Sequence, residues 1–351
     1  MVTANRDTRR RFEQWAGNPE CEANTISAVH GIRMEEVAKR EQAPPSMGQS
    51  PFAIARGETF EKALFRNTAK RLREALLKSE VLRSDADFTD FRTRMHGGPY
   101  KTQEDARSAT SEFFRHLGAR REVAISAVIA AATICVPGGV MLPEALLVLD
   151  VLVVRISKRD GRPELVVGEV KTYPDRAGYT DGKELALTRA QAGVYVHGLR
   201  VVVEELGLKN QLAVSSEGFL ILSRPGYNIP SVRPREDLTH QAERAARGFE
   251  MLRKAAAITP VPDADRPWEA IQRASTRYSE NCLRFCDRVS VCRDQAFKSG
   301  APAFLGDELE RFLGETDLHR VVDLMGGANP VTTAEKDLVR RLEESELRPQ
   351  A

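Results

Sequence analysis

The sequence lacks a run of about 20 apolar residues, the length that a membrane-spanning helix needs. Its most apolar stretch, Val123 to Val136, is interrupted by Ser126 and Thr133 and ends at Pro137-Gly138-Gly139. The polar, arginine-rich start of the chain also lacks the apolar core of a secretory signal. We therefore expect a cytoplasmic protein without membrane association, whose cysteines stay reduced.

Two further absences narrow the classes of function. The sequence has no G-x-x-x-x-G-K-[ST] phosphate loop, so the chain is not itself a helicase motor. It also has little net charge, since 52 Lys and Arg residues nearly balance 50 Asp and Glu residues. This balance leaves nucleic-acid binding open, because binding depends on a local basic groove and not on the total charge.

What the sequence does contain is a central apolar region between helical segments. Apolar residues at roughly helical spacing predict one helix over Glu58–Ser79; they are Phe60, Leu64, Ala69, Leu72 and Leu76. Other predicted helices are Arg9–Ala16, Gln103–Leu117, Thr188–Glu205 and most of Arg235–Glu344. Predicted strands are Ala131–Val136, Ala145–Ile156, Glu164–Lys171 and Phe219–Leu222. The Asp160-Gly161 pair predicts a hairpin turn between the second and third of these strands.

Charged residues interrupt two of the apolar strands. Asp150 lies in the middle of one strand, and Glu169 and Lys171 share one face of the next, because side chains alternate along a strand. A hairpin would bring the two carboxylates together, where they repel each other unless a cation joins them. Mg²⁺ or Mn²⁺ prefers such oxygen ligands and can promote phosphodiester hydrolysis, with Lys171 stabilising the transition state.

The alternative is that these three residues simply face solvent on an exposed sheet, as charged residues on strands commonly do. The flanks argue against this alternative. Both strands are almost continuously apolar, as strands buried on both faces are, so a charge within them needs a specific partner.

A family resemblance follows from the order of these motifs. Asp150, Gly168-Glu169-Val170-Lys171 and Gln191-Ala192-Gly193-Val194-Tyr195 resemble the D…E-x-K…Q-x-x-x-Y series of RecB-like PD-(D/E)XK nucleases. That group includes the AddB nuclease domain and the CRISPR-associated RecB-like exonucleases. The resemblance implies an α/β fold with a restriction-endonuclease-like mixed sheet flanked by helices. It also implies catalysis by Asp150, Glu169 and Lys171, and DNA contacts by Gln191 and Tyr195, which otherwise are an ordinary amphipathic pair.

The first motif of the family departs from its usual form. Relatives have G-x-x-x-H on a helix before the sheet, whereas this sequence has Gly57-Glu58-Thr59-Phe60-Glu61. If Glu61 replaces the histidine, the resemblance implies a metal site made by Glu61, Asp150, Glu169 and Val170. The alternative is that Glu61 is a surface carboxylate of its helix.

Three of the five cysteines, Cys282, Cys286 and Cys292, form a C-x3-C-x5-C run, which suits a shared metal centre. Cys21 is the candidate for a fourth ligand. One N-terminal cysteine followed by three near the C-terminus is similar to the iron–sulfur subset of RecB-like nucleases, which implies a 4Fe–4S cluster, although those relatives more often have C-x2-C-x5-C. A structural zinc site with four cysteine ligands is the main alternative, and unligated core cysteines are a third. Cys135 is expected to be a small buried hydrophobe.

These interpretations divide the chain into three parts. Residues 1–56 would be an N-terminal segment with the first cluster cysteine, 57–225 the nuclease core, and 226–351 a helical region with three cluster cysteines, so that the cluster joins the two helical parts. Residues 293–351 match no motif. The arginines near the start, Arg6, Arg9, Arg10 and Arg11, are interpreted as a solvated helix start and not as phosphate ligands.

The expected function is Mg²⁺- or Mn²⁺-dependent hydrolysis of DNA, by exonuclease action on single strands or ends. It would serve DNA repair or antiviral CRISPR defence, with protein partners from such a system. The alternative is a DNA- or partner-binding module on the same fold, with weak catalysis because of Glu61 and with zinc at the cysteines.

Overall fold

The computed structural model describes residues 8–44, 51–119, 126–136, 145–176, 178–225, 229–279 and 281–347. Within them, seven strands form one mixed sheet. The strands are β1 (Asp87–Asp90), β2 (Ala127–Val136), β3 (Ala145–Ile156), β4 (Pro163–Pro174), β5 (Ala213–Val214), β6 (Glu217–Ser223) and β7 (Pro230–Asp237). This sheet, flanked by helices, confirms the predicted α/β class.

The helices of the described residues precede, interrupt and follow the sheet. They are α1 (Thr8–Gly17), α2 (Glu22–His30), α3 (Met34–Arg40), α4 (Pro51–Leu64), α5 (Arg66–Lys78), α6 (Gln103–Ala119), α7 (Gly182–Glu205), α8 (Thr239–Ile258), α9 (Pro267–Arg273), α10 (Cys282–Phe285), α11 (Val289–Ser299), α12 (Asp307–Leu313), α13 (Leu318–Met325) and α14 (Thr333–Glu344). Two short 3₁₀ helices cover Arg94–His96 and Pro302–Leu305. None of these helices has both the length and the apolar character that a membrane crossing requires.

The strand order across the sheet is β1-β2-β3-β4-β6-β7, and β5 pairs with the start of β4. The three central strands β2, β3 and β4 are antiparallel to one another. The parallel pair β4 and β6 is connected through α7, because parallel neighbours need a crossover and cannot be joined by a tight turn. The predicted β3–β4 hairpin is confirmed, with Val151 opposite Gly168 and Ile156 opposite Pro163.

Each face of the sheet is covered by helix. On one face, apolar residues of α4 and α5 form a buried cluster with the strands, whose members include Leu64, Leu72, Val151, Val166, Val170 and Ile221. On the other face, α7 packs against β2, β3 and β4. Leu185 of α7 contacts Leu220 and Leu222, which alternate with Ile221 along β6. Burial on both faces explains why the central strands are nearly all apolar.

The predicted helix over Glu58–Ser79 is in fact two helices, α4 and α5. Three successive residues just after the break, Asn67, Thr68 and Ala69, have positive φ values between 51° and 56°. The break lies between Leu64 and Ala69, whose five-residue spacing is longer than a helical repeat. Both side chains still reach the same buried cluster, because the irregular turn takes up the extra residue.

The described residues divide into two compact units. The larger unit contains the sheet and covers 51–251 together with Thr8 and Arg9. The smaller unit combines 10–44 with 252–347, so it is built from two distant parts of the chain. These bounds differ from the predicted division at 56 and 225, because β7 pairs with β6 and so belongs to the sheet.

The smaller unit is helical and has two apolar clusters. In the first, Cys21, Ile26 and Met34 pack with Ile271 of α9, and Cys286 lies against them. The second is formed by α11 to α14, with Leu318, Leu324, Leu338 and Leu342 among its buried residues. It includes most of the segment that matched no motif, which is therefore a folded part of this unit.

Candidate active site and cysteine cluster

The β3–β4 hairpin places Asp150 beside the E-x-K strand. Pairing of the two strands runs to Val151 and Gly168, so Asp150 and Glu169 are the next residues in register. Oδ2 of Asp150 accepts a 2.9 Å hydrogen bond from the backbone N–H of Val170. The predicted approach of the two carboxylate residues is thus present in the structure.

Gly168 allows the neighbouring strand to pack closely at this point. A Cβ atom at Gly168 would lie 2.3 Å from two ring atoms of Phe219, which is far inside any normal contact. The Phe219 ring therefore packs directly over the backbone of β4, next to Glu169. A larger residue at 168 would displace the strand that carries the carboxylate.

Glu169 is fully buried and has a close cationic neighbour. Its Oε1 accepts a 2.5 Å hydrogen bond from Nζ of Lys171, on the same face of β4. Its Oε2 has no hydrogen-bond partner among the described residues. Burial, and then the charge of Asp150, raise the pKa of Glu169 to about 7, although Lys171 and Arg9 act in the opposite direction. A buried carboxylate oxygen without a partner is costly unless another group binds it.

Lys171 remains a cation in this environment. Burial lowers its pKa, but Glu169 and Asp150 raise it, and the net pKa is above the ordinary lysine value. The side chain is about one-fifth exposed, which leaves part of it accessible from the surface. Lys171 can therefore present a positive charge next to the two carboxylates.

A cavity of about 360 Å³ adjoins these residues. Asp150, Val170 and Glu61 line it, so the cavity joins the motif on α4 to the two strands. Loss of water around Glu61, and then the charge of Asp150, raise the pKa of its carboxyl group. Val170 takes part through its backbone, because its side chain lies in the apolar cluster on the other face of the sheet. Three of the four residues that were predicted to hold a divalent metal thus line one cavity, and the fourth, Glu169, is next in register to Asp150.

Ala131 of β2 also lines the cavity and has an unusual backbone conformation. Its φ is +53°, although it lies within a strand between two regular pairs, Ala130 with Val151 and Ala132 with Leu149. It therefore lies across from Asp150. Left-handed residues other than glycine cost free energy and are frequent at functional sites, which fits the location of this one.

A second cavity is larger, about 660 Å³, and three of the charged residues that line it are paired with one another. Arg155 donates a 2.9 Å hydrogen bond to Glu164 and lies 3.4 Å from Glu217. The predicted catalytic residues do not line this cavity. We therefore place the candidate active site at the smaller cavity.

The predicted DNA-contact pair lies on α7. Tyr195 is 1% exposed, and its hydroxyl group accepts a 2.8 Å hydrogen bond from Nη1 of Arg9. Oε1 of Gln191 is buried and has no hydrogen-bond partner among the described residues. Because the Tyr195 ring is enclosed, the hydroxyl group is the part of this residue that can act in the cavity that it lines.

Two arginines at this site were missed by the sequence interpretation. Arg9, which was predicted to be solvated, lines the cavity and lies 3.4 Å from Oε1 of Glu169. Arg92 follows β1, a strand that was not predicted, and pairs with Asp90 at 2.8 Å. Its guanidinium group also stacks over the Phe65 ring at 4.8 Å. The arginine-rich start of the chain was the sequence signal for Arg9, whereas nothing local indicated Arg92.

The four predicted cluster cysteines lie together in the smaller unit. Burial raises the pKa of Cys286, and Cys282, Cys292 and Cys21 raise it further, so all three other thiols are near it. Burial also raises the pKa of Cys292, to about 11. Cys135, by contrast, is on β2 in the sheet unit.

Hydrogen-bond donors contact two of the four sulfur atoms, those of Cys282 and Cys292. Asn18 Nδ2 and the backbone N–H of Ser279 donate to Sγ of Cys282 at 3.3 and 3.4 Å. Arg288 Nη1 lies 4.0 Å from Sγ of Cys292. Donors of this kind stabilise a thiolate, although burial alone would favour the neutral thiol. The set of four thiols with N–H donors fits a bound metal centre.

Arg288 is the largest nearly fully buried side chain of the described residues. Its Nε and Nη2 each donate a 2.7 Å hydrogen bond to the Glu41 carboxylate, as a two-point pair. Because the Glu41 carboxylate neutralises it, the Arg288 guanidinium group can lie buried beside Cys292.

At neither place do the side chains converge in coordinating geometry. No group of three or more His, Cys, Asp and Glu side chains in the described ranges could hold a metal ion as it stands. Among these groups, Cys282, Asp150 and Oε1 of Glu169 instead accept the hydrogen bonds described above.

Comparison with known proteins gives no significant match to a family model, to a curated protein or to a solved structure.

Proposed function

We propose that this chain is a Mg²⁺- or Mn²⁺-dependent DNA nuclease of the RecB-like PD-(D/E)XK type. The observation that supports it best is the buried Glu169 carboxylate. One of its oxygens is bound by Lys171 and the other has no partner among the described residues, beside Asp150 and a cavity. A carboxylate pair with a lysine suits phosphodiester hydrolysis and has no comparable use in a structural sheet.

The residues have distinct roles in this proposal. Asp150, Glu169, Glu61 and the backbone of Val170 would hold the divalent cation, which supplies positive charge and Lewis acidity when bound. Lys171 orients the attacking water and stabilises the negative charge that develops on the phosphate oxygens. Asp150 is held for this role by the Val170 N–H, so its second oxygen can be offered to the cavity.

The direct test is cleavage of single-stranded and double-stranded DNA with Mg²⁺, with Mn²⁺ and with EDTA. We expect metal-dependent cleavage that Lys171→Ala abolishes while the circular dichroism spectrum is kept. Undiminished cleavage by Lys171→Ala would place the active site elsewhere. A wild-type protein that binds DNA without cleaving it would favour the alternative, a binding module.

We further propose that Cys21, Cys282, Cys286 and Cys292 hold a 4Fe–4S cluster, with structural zinc as the alternative. The proximity of the four thiols and the donors around them support a metal centre. Iron, zinc and acid-labile sulfide are measured on protein purified without oxygen. About four irons and four sulfides per chain would support the cluster, and one zinc without sulfide would replace it.

A further inference from the structure

Arg9 is a cationic residue of the active-site cavity that no predicted motif includes. Its Nη1 contacts two side chains, the Tyr195 hydroxyl group at 2.8 Å and Glu169 Oε1 at 3.4 Å. The first contact is of ordinary hydrogen-bond length, whereas the second is long. The side chain is 28% exposed and lines the cavity, so the guanidinium group is held in place and yet accessible from it.

The neighbouring arginines of the same helix behave differently. Arg10 is 61% exposed and lies 3.7 Å from Asp287. Arg11 is buried and donates to the backbone carbonyl groups of Ala28 and Val29 at the end of α2. Of the three, Arg9 alone faces the carboxylates of the cavity. Its location is therefore specific and is not a general property of an arginine-rich helix start.

The charges of the site indicate what Arg9 can bind. The coupled carboxylates are Glu61, Asp150 and Glu169. Lys171 and Arg9 oppose the charge of Glu169, and Lys171 and Arg92 oppose the charge of Glu61. A divalent cation on the carboxylates would offset their negative charge, so the site could then accept the negative charge of a phosphodiester next to Arg9.

A divalent cation on Glu169 would also weaken the contact between Glu169 and Arg9. The metal ion, Lys171 and Arg9 would then share one carboxylate, and the 3.4 Å contact of Arg9 is longer than the 2.5 Å contact of Lys171. The Tyr195 hydroxyl group can keep the guanidinium in place when this contact is lost. A guanidinium group held beside a metal site has the planar set of N–H donors that binds phosphate oxygens.

The geometry points to Arg9 as a catalytic residue that binds the phosphate group of the DNA substrate, with Tyr195 as its positioning residue. This inference rests on the proposed nuclease function. It assigns Arg9 to substrate recognition and charge stabilisation, and it makes the Tyr195 hydroxyl the group that orients Arg9. When metal and DNA bind, the Arg9 guanidinium group would leave Glu169 and bind a phosphate oxygen of the substrate.

The test compares Arg9→Gln and Arg9→Lys with Arg10→Gln, a matched control on the same helix, in the whole chain. In cleavage assays we expect Arg9→Gln to lower kcat about 100-fold, as loss of one charge-stabilising donor does. Arg9→Lys keeps the charge without the planar group and should lie between Arg9→Gln and the wild type. Arg10→Gln should stay within about twofold of the wild type, the ordinary result at an exposed site.

Binding gives a second readout that needs no cleavage. The same changes are made in the Lys171→Ala protein, and single-stranded DNA is titrated at several salt concentrations with Ca²⁺. Loss of one phosphate contact should reduce the slope of log affinity against log salt by about 0.7. We expect this change for Arg9→Gln and none for Arg10→Gln. Thermal melting checks that the variant proteins are folded. If Arg9→Gln is unfolded, Arg9→Lys takes its place in the binding test.

Three outcomes would overturn the assignment or separate it from the proposed function. A wild-type kcat and an unchanged salt slope in Arg9→Gln would show that Arg9 does not touch the substrate. Tighter Mn²⁺ binding together with faster cleavage in Arg9→Gln would make Arg9 only a counter-ion of Glu169. If the wild-type protein cleaves no DNA with any metal, the nuclease proposal fails, and the salt slope still decides whether Arg9 binds phosphate.

Discussion

The backbone N–H of Val170 donates a 2.9 Å hydrogen bond to Oδ2 of Asp150, so the candidate metal ligand of β3 is fixed by the strand that carries the other ligand. The side chain of Val170 meanwhile anchors β4 in the apolar cluster on the opposite face. One residue of the E-x-K motif therefore links the position of Asp150 to the packing of the sheet. The structural role of Asp150 is to accept this hydrogen bond, and that role does not require its negative charge.

Asp150→Asn should abolish metal-dependent cleavage while the protein keeps its stability. The asparagine carbonyl oxygen can still accept from Val170, but it lacks the negative charge that binds the cation. Asp150→Ala removes the acceptor as well, and it should lower the free energy of unfolding by about 1–3 kcal/mol. Denaturant unfolding in EDTA measures both variants. Equal destabilisation by Asn and Ala would contradict this division of roles.

The contribution of Glu169 to the stability of the metal-free protein should fall as the pH rises from about 4.5 to about 7. Glu169 has a folded pKa of about 7 against an ordinary value of 4.5. The folded state therefore binds the proton more tightly, and its contribution is complete below about pH 4.5 and is lost as the pH approaches about 7. Unfolding in EDTA at pH 5 and pH 8, wild type against Glu169→Gln, isolates this contribution. A pH-independent difference between the two proteins would refute the raised pKa.

Glu61→Ala should increase the Mn²⁺ concentration needed for half-maximal cleavage, because one carboxylate of the site is lost. Glu61→His introduces the residue that RecB-like nucleases usually have at this place, and it should recover most of the affinity. Glu58, one turn earlier on α4 and 3.7 Å from Lys62, provides the matched control as Glu58→Ala. Identical metal curves for Glu61→Ala and Glu58→Ala would make Glu61 a surface carboxylate.

Replacing any one of Cys21, Cys282, Cys286 or Cys292 by Ser should remove most of the visible absorption of anaerobically purified protein and reduce its iron content. Three remaining thiolates hold a cluster poorly. Cys135→Ser should keep the colour, because Cys135 lies on β2 in the sheet unit. Loss of colour in Cys135→Ser alone would require a different ligand set.

Arg288→Gln should destabilise the protein by about 3–5 kcal/mol, because it leaves the Glu41 carboxylate without its buried partner. The double variant Arg288→Met/Glu41→Leu removes both charges and should recover most of this loss. If a cluster is bound, the double variant should have a lower midpoint potential, since the cation beside Cys292 is gone. A double variant as unstable as Arg288→Gln would show that the pair acts through packing.

The parts of the fold that the sequence predicted are those with a local signal. Strands β3 and β4 are apolar runs on either side of an Asp-Gly turn, so the hairpin could be predicted together with the approach of Asp150 to Glu169. Strand β7 was not predicted, because Pro230, Pro234 and four charged residues interrupt its apolar pattern. Such residues are tolerated on an edge strand, and β7 is at the edge of the sheet.

The site was predictable only where its residues fall in a motif. Arg9 contacts Glu169 and Tyr195 from 160 and 186 residues away in the sequence. No periodicity or spacing can indicate a contact of that separation, so Arg9 was interpreted from its arginine neighbours. Its location is decided by the tertiary structure.

The hydrogen bond from Asn18 to Cys282, between residues 264 positions apart, has a consequence for biosynthesis. Every strand of the sheet leaves the ribosome before Cys282 does, and domains tend to fold in that order. The candidate catalytic residues are thus synthesised before three of the four cysteines. A chain that stops before Cys282 contains the whole sheet but lacks the cysteine that Asn18 contacts in the smaller unit. The smaller unit can therefore form fully only after synthesis has passed the last of its cysteines.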